Sequence, residues 1–128
     1  MKTRDTVVLS MIAGAAVGAA AIQGLHAQAK PKAYTVSELE TIDAQAQQAY
    51  LPAARKAIEA AHGRALRTAA GKVVHIEGAP APKNAAIVEW NSLDEAVAFY
   101  KSKAWTDLAP QRDKTQKTIR RYAVEAER

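Results

Sequence analysis

The chain has 128 residues, of which 18 are basic and 13 acidic, for a net charge of +5, and it has no cysteine. That length is one domain, and neither disulfides nor a lipidated cysteine can contribute to it. The basic residues are interleaved with acids and lack a stacking-aromatic pattern, so nucleic acid is not the expected partner.

Residues 1–4 form a short basic head, and residues 7–22 carry no charge and are mostly Ala, Gly, Val, Ile, Leu and Met. Ala27-Gln28-Ala29 then places small residues directly before Lys30. These are the three parts of a cleavable secretory signal. Residues 1–29 are the expected signal peptide, residues 30–128 the mature domain, and the periplasm or the exterior its compartment. A retained anchor wants about 20 strongly apolar residues. This run is shorter, rich in Ala and Gly, and followed by Gln23 and His26, so no stable membrane insertion is expected after cleavage. No twin-arginine pair precedes the run, which favours the general secretion route.

Loss of Lys2, Arg4 and Asp5 lowers the net charge by only one, which leaves the domain basic. A domain of roughly a hundred residues folds alone but buries a modest share of its surface. Without disulfides its stability must come from packing, a metal or oligomerisation.

Residues 33–40 begin with β-branched and aromatic side chains in alternation, and predict a first strand. Thr41 or Asp43 can cap the helix that follows over residues 44–62, where Leu51, Ala54, Ile58 and Ala61 form one stripe. Pro52 inside it should kink or restart the helix, and Gly63 is expected to end it in a left-handed turn. Residues 64–68 and 72–77 read as two short extended runs about a turn at Ala69-Ala70-Gly71, a hairpin arm. Residues 78–84 hold two prolines and predict a loop. Residues 85–90 are nearly all apolar, as in a strand buried on both faces.

Ser92 and Glu95 have the spacing of a capping box, opening a helix with Leu93, Ala96, Val97 and Tyr100 on one face. Trp105 and Leu108 predict one more short helical piece, interrupted near Pro110, and residues 118–124 the last strand. The order is α+β, a ferredoxin-like βαββαβ sandwich. With both helices on one sheet face, the apolar strand around Ile87, Val88 and Trp90 leaves a bare face that wants a partner. Two sheets stacked face to face give a dimeric α+β barrel, so a homodimer is expected.

The chain resembles the domain-of-unknown-function family 1330 of the dimeric α/β-barrel superfamily over nearly all of residues 33–125. The resemblance rests on Asp43, on Gly63-Arg64, and on the run from Gly71 to Gly78, which matches a G-K-V-x-x-x-E-G arm. It rests also on Glu89-Trp90-Asn91-Ser92 with Ala96 to Tyr100, and on Ser102, Trp105, Leu108, Pro110 and Arg112. The chain departs from the family pattern at His62, where a second glycine is common, and at Lys103, where a proline is common. The resemblance implies the fold and the dimer. Superfamily relatives include cofactor-free monooxygenases, haem-degrading enzymes and simple stress-response barrels.

Only His62 and His75 follow the leader, without metal-ligand spacing, and no metal site is expected. His62, at the end of a helix, suits the dipole. His75 is the candidate general base, should a pocket form beside it. Trp90, Tyr100, Trp105 and Arg112 are candidate ligand-binding residues: the aromatics hold most of the ring mass, and a guanidinium can grip an anion by two bonds. No Ser–His–acid set, glycine-rich phosphate loop or paired carboxylate stands out, and no cofactor is expected. Three readings follow: a dimer that binds a small apolar or anionic molecule, a cofactor-independent monooxygenase or isomerase using His75 or Tyr100, and a structural or interaction dimer without a pocket.

Overall fold

A computed structural model describes residues 30–67 and 72–128. The expected signal peptide and the turn at Ala69-Ala70-Gly71 lie outside the described residues. The elements run β1 (Lys32–Thr41), α1 (Ala44–Ala60), β2 (Arg64–Ala65), β3 (Asn84–Trp90), α2 (Leu93–Lys101), α3 (Lys103–Thr106), α4 (Ala109–Thr115) and β4 (Gln116–Ala126). The sheet order is β2-β3-β1-β4, with each pair antiparallel. This is the ferredoxin-like α+β arrangement expected from the sequence.

Alternation along the strands decides which face is covered. In β1, Ala33, Thr35, Ser37 and Leu39 are buried. Ala33, Val88 and Trp90 join Tyr50, Ala54 and Ile58 of α1, Ala96 and Phe99 of α2, and Trp105 of α3 in one core. The opposite face carries Tyr34, Val36 and Ile87 with Tyr122 and Val124, since Val36 pairs with both Ile87 and Tyr122, and Tyr34 with Val124. The strand that reads as apolar on both sides thus sends Val88 and Trp90 inward and Ile87 outward. Tyr122 and Val124 are close to half exposed.

Asp43 caps α1 by accepting from the Ala46 amide at 3.0 Å. The helix is continuous across Pro52 rather than restarting there. Its end also corrects the expectation for Gly63. The residue in the left-handed region is His62 (φ 68°). The Gly63 amide donates to Ile58 O at 2.9 Å and the His62 amide to Glu59 O at 3.0 Å, the paired bonds of a Schellman ending. Gly63 is needed for a different reason: a Cβ there would stand 2.7 Å from Ile58 Cγ2 and 2.8 Å from the Trp90 ring.

The hairpin arm is reduced to one short strand among the described residues. Arg64 and Ala65 pair with Glu89 and Val88, and the Leu66 amide extends the ladder to Ile87 O. Residues 72–77 form no strand, and Val74 and Ile76 are strongly exposed. Their β-branched composition finds no neighbouring ladder, and strand propensity without cross-strand partners does not suffice.

Ser92 caps α2 through the Glu95 amide at 3.2 Å. The buried stripe of α2 is Ala96 and Phe99, while Val97 is exposed. The helical stretch breaks at residues 107–108, directly before Pro110 as expected, and Pro110 itself stands in the first turn of α4, where its missing N–H costs nothing.

Candidate functional site

The positions Tyr50, Ala54 and Ile58 are four apart and line one stripe of α1, turned toward the sheet. Between this stripe and the inward sheet face lies a cleft of about 180 Å³. Leu39, Ala54, Ile58 and Val88 give it apolar walls, and Tyr50, Tyr100, Trp105, Ser37 and Arg121 give it a polar end. Its lining includes two arginines, Arg55 and Arg121, and no aspartate, glutamate or histidine.

Arg121 is placed by β4, opposite Ser37 of β1. Its Nε donates to Ser37 Oγ at 2.7 Å. Its guanidinium carbon stands 4.8 Å from the centroids of both Tyr100 and Trp105, close enough for attraction to the ring faces. Burial lowers its pKa from the ordinary arginine value, with Tyr100 opposing and Arg112 adding to that shift. The group stays cationic all the same.

A buried chain of hydrogen bonds fixes the neighbouring aromatic groups. Trp90 Nε1 donates to Thr35 Oγ1 at 3.1 Å, and the same oxygen shares a proton with the Tyr100 hydroxyl at 3.0 Å. Trp105 sits against Phe99 and Tyr100, with centroids 5.4 and 5.0 Å apart. Arg112 braces it from below: its guanidinium carbon is 4.2 Å from the Trp105 ring, and Nη1 donates to Trp105 O at 3.2 Å. At the opening of β4, Gln47 donates to Gln116 at 2.9 Å, and Asn84 to Thr41 at 3.0 Å. These bonds tie the ends of three strands to the start of α1.

Tyr50 is the exception. It is fully buried, yet its hydroxyl has no hydrogen-bond partner. Burial pushes its pKa up, and the nearby Arg112 guanidinium opposes that without reaching hydrogen-bond geometry. Burial likewise raises Tyr100. Both tyrosines are therefore neutral at physiological pH, and the cleft lining holds cations and hydroxyls with no carboxylate or histidine.

The structure brings together two of the four ligand-binding candidates at the cleft, Tyr100 and Trp105. Trp90 is wholly buried in the core, 4.9 Å from Phe99 by ring centroid, and Arg112 stands behind Trp105; neither lines the cleft. His75 is exposed on the irregular segment after the undescribed turn and is not among the cleft residues. His62 ends α1 and edges a shallow alanine-rich groove between α1 and α2. Tyr50, Arg55 and Arg121 were missed from sequence. For Arg121 a signal existed, a charged residue two positions before Ala123 on an inward strand face. Among the described residues no group of His, Asp and Glu is arranged to hold a metal ion.

The family described as Domain of unknown function (DUF1330) matches residues 32–126. The chain belongs to that family. None of the curated proteins matches it. The fold is similar to the crystal structure of a protein of unknown function from Rhodopseudomonas palustris, with a TM-score of 0.57 at 11% identity, covering 84% of this chain and 92% of that one. The methylated form of that Rhodopseudomonas palustris protein is similar to the same degree, with a TM-score of 0.57, 11% identity, and 84% and 90% covered.

Proposed function

We propose that the domain is a small-molecule-binding protein that takes one compact, largely apolar ligand into the cleft between α1 and the sheet. The observation that carries this reading is the cleft itself, apolar along its walls with several polar groups converging at one end, the common form of a ligand pocket. A dry cavity of about 150 Å³ accepts benzene, so 180 Å³ suits a single ring or a short branched chain. Binding is favoured over catalysis because the polar end holds hydroxyls and one guanidinium group, and no carboxylate or histidine placed to take a proton. Trp105 lines the cleft and reports on occupancy. Titration with a neutral ring such as toluene is expected to change tryptophan emission saturably, with one ligand per chain by native mass spectrometry. A linear, unsaturable response with no bound species would overturn the reading.

The same proposal has the domain act as an exported homodimer joined by its open sheet faces. Tyr34, Val36, Ile87, Tyr122 and Val124 make that face apolar. Two of its charged pairs are formed within the face, Glu38 with Arg120 and Glu89 with Arg64, which lowers the cost of covering them. A two-fold pairing uses one surface twice. Export is supported by the three-part leader, and an intact mass matching residues 30–128 from the extracytoplasmic fraction is the expected result.

A further inference from the structure

The cleft pairs an apolar chamber with an unneutralised cation. Arg121 is the group around which this is organised. Its Nε is used by Ser37 and its flat face by Tyr100 and Trp105. The two terminal nitrogens, which carry four of the five N–H donors of a guanidinium, have no acceptor among the described residues. No carboxylate lines the cleft, and the second arginine near Trp105, Arg112, has its closest carboxylate, Asp113, at 4.0 Å. Beside them stands the Tyr50 hydroxyl, fully buried, lining the same cleft and without a partner. A buried hydroxyl is rarely left unpaired, and Arg121, half-buried at the polar end of the cleft, faces no counter-charge there. Here a cation and a hydroxyl on two separate elements, β4 and α1, lack the same thing: an anionic acceptor inside the cleft.

We propose that the ligand of this cleft is a monocarboxylate with a small apolar body, its carboxylate held by the terminal nitrogens of Arg121 and by the Tyr50 hydroxyl. This rests on the binding reading above and names the ligand's class. The rings of Tyr100 and Trp105 and the Ser37 hydroxyl hold the guanidinium in one orientation before a ligand arrives, so little side-chain entropy remains to be lost. The side-by-side pair of free nitrogens matches the two oxygens of a carboxylate. Leu39, Ala54, Ile58 and Val88 then receive the body of the molecule, and the chamber's volume limits that body to about one ring.

The test compares benzoate with benzamide, which has the same shape and no charge, by calorimetric titration at pH 7. Benzoate is expected to bind between about ten- and a hundredfold more tightly, the worth of a hydrogen-bonded charge pair. Arg121→Met, which keeps most of the volume, should bring the two ligands to equal affinity while circular dichroism still reports the fold. Should that variant fail to fold, the wild-type ratio alone decides. Equal affinity of benzoate and benzamide in the wild-type protein overturns the carboxylate assignment and leaves the binding reading standing. A preference that survives in folded Arg121→Met overturns the role of Arg121. Failure of benzoate, benzamide and toluene alike to bind overturns the binding reading, and the assignment falls with it.

Discussion

Substituting Gly63 by alanine isolates a steric demand from a conformational one. Gly63 is outside the left-handed region, so alanine meets no backbone strain there. The new Cβ would stand 2.7 Å from Ile58 Cγ2 and 2.8 Å from two atoms of the Trp90 ring, against an ordinary contact beginning at 3.4 Å. Trp90 cannot yield cheaply, because it is wholly buried, bonded to Thr35 and stacked near Phe99. Overpacking of this kind costs about 1–3 kcal/mol, and an immobile partner puts the cost in the upper part, about 2–3 kcal/mol. For a domain of this size each kcal/mol moves Tm by about 4–8 °C. Gly63→Ala is therefore expected to melt some 8–24 °C lower by circular dichroism, a range taken directly from that scaling. His62→Gly is the matched control. Relief of the left-handed conformation is worth about 1–2 kcal/mol and the added chain entropy costs about 0.5–1 kcal/mol, so this variant should be as stable as wild type or slightly more so. Melting of Gly63→Ala within about 2 °C of wild type, well under one kcal/mol on that scale, would refute the packing argument. A marked loss in His62→Gly would refute the helix ending.

Three further outcomes are expected. The Arg120 guanidinium holds the Glu38 carboxyl below its ordinary range, so the stability it contributes is present above the unfolded-state value and lost as pH falls through the folded one; the Tm gap between wild type and Glu38→Gln should be open at pH 7 and close below about pH 4. A gap that is constant across that window would dismiss the ion pair as a contributor. Ile87→Asp puts a charge on the open sheet face, and if two copies pair there it should abolish the rise of Tm with protein concentration expected of a wild-type dimer; a wild-type protein that sediments as a folded monomer at micromolar concentration would end the dimer proposal. Tyr50→Phe removes a buried hydroxyl that bonds to nothing, so the ligand-free variant should gain up to about 1 kcal/mol in urea unfolding, and a loss of that size would mean the hydroxyl is satisfied after all.

Much of the fold was legible because it rests on local chemistry. Asp43 and Ser92 are acceptors with an amide three residues on, and both cap as their side chains predict. The alternation of β1 and the apolar run of β3 are strands because each has a partner in register. Where a segment's fate depends on a neighbour, the pattern misled. Residues 72–77 have strand composition and no ladder among the described residues, and β4 runs from Gln116 rather than Thr118 because Gln116 pairs with Thr41. The end of α1 shows the same division. Histidine and glycine in sequence announce a stop, but which one takes the left-handed position is set by where the Trp90 ring lies.

The site was less legible for a reason that concerns charge rather than pattern. Aromatic residues and an arginine after a helix attract notice, and of those Tyr100 and Trp105 do line the cleft. Adjacent arginines in a strand attract none, although a period of two must send them to opposite faces. Arg120 goes outward to an ion pair with Glu38, and Arg121 goes inward to Ser37 and two rings. Identical side chains one residue apart thus do different work, the outer one neutralised and the inner one not. The feature that marks the proposed ligand site is a missing carboxylate. A sequence of 13 acids interleaved with 18 bases gives no hint of it, because which cation lacks a counterpart is decided only when the sheet and α1 close around it.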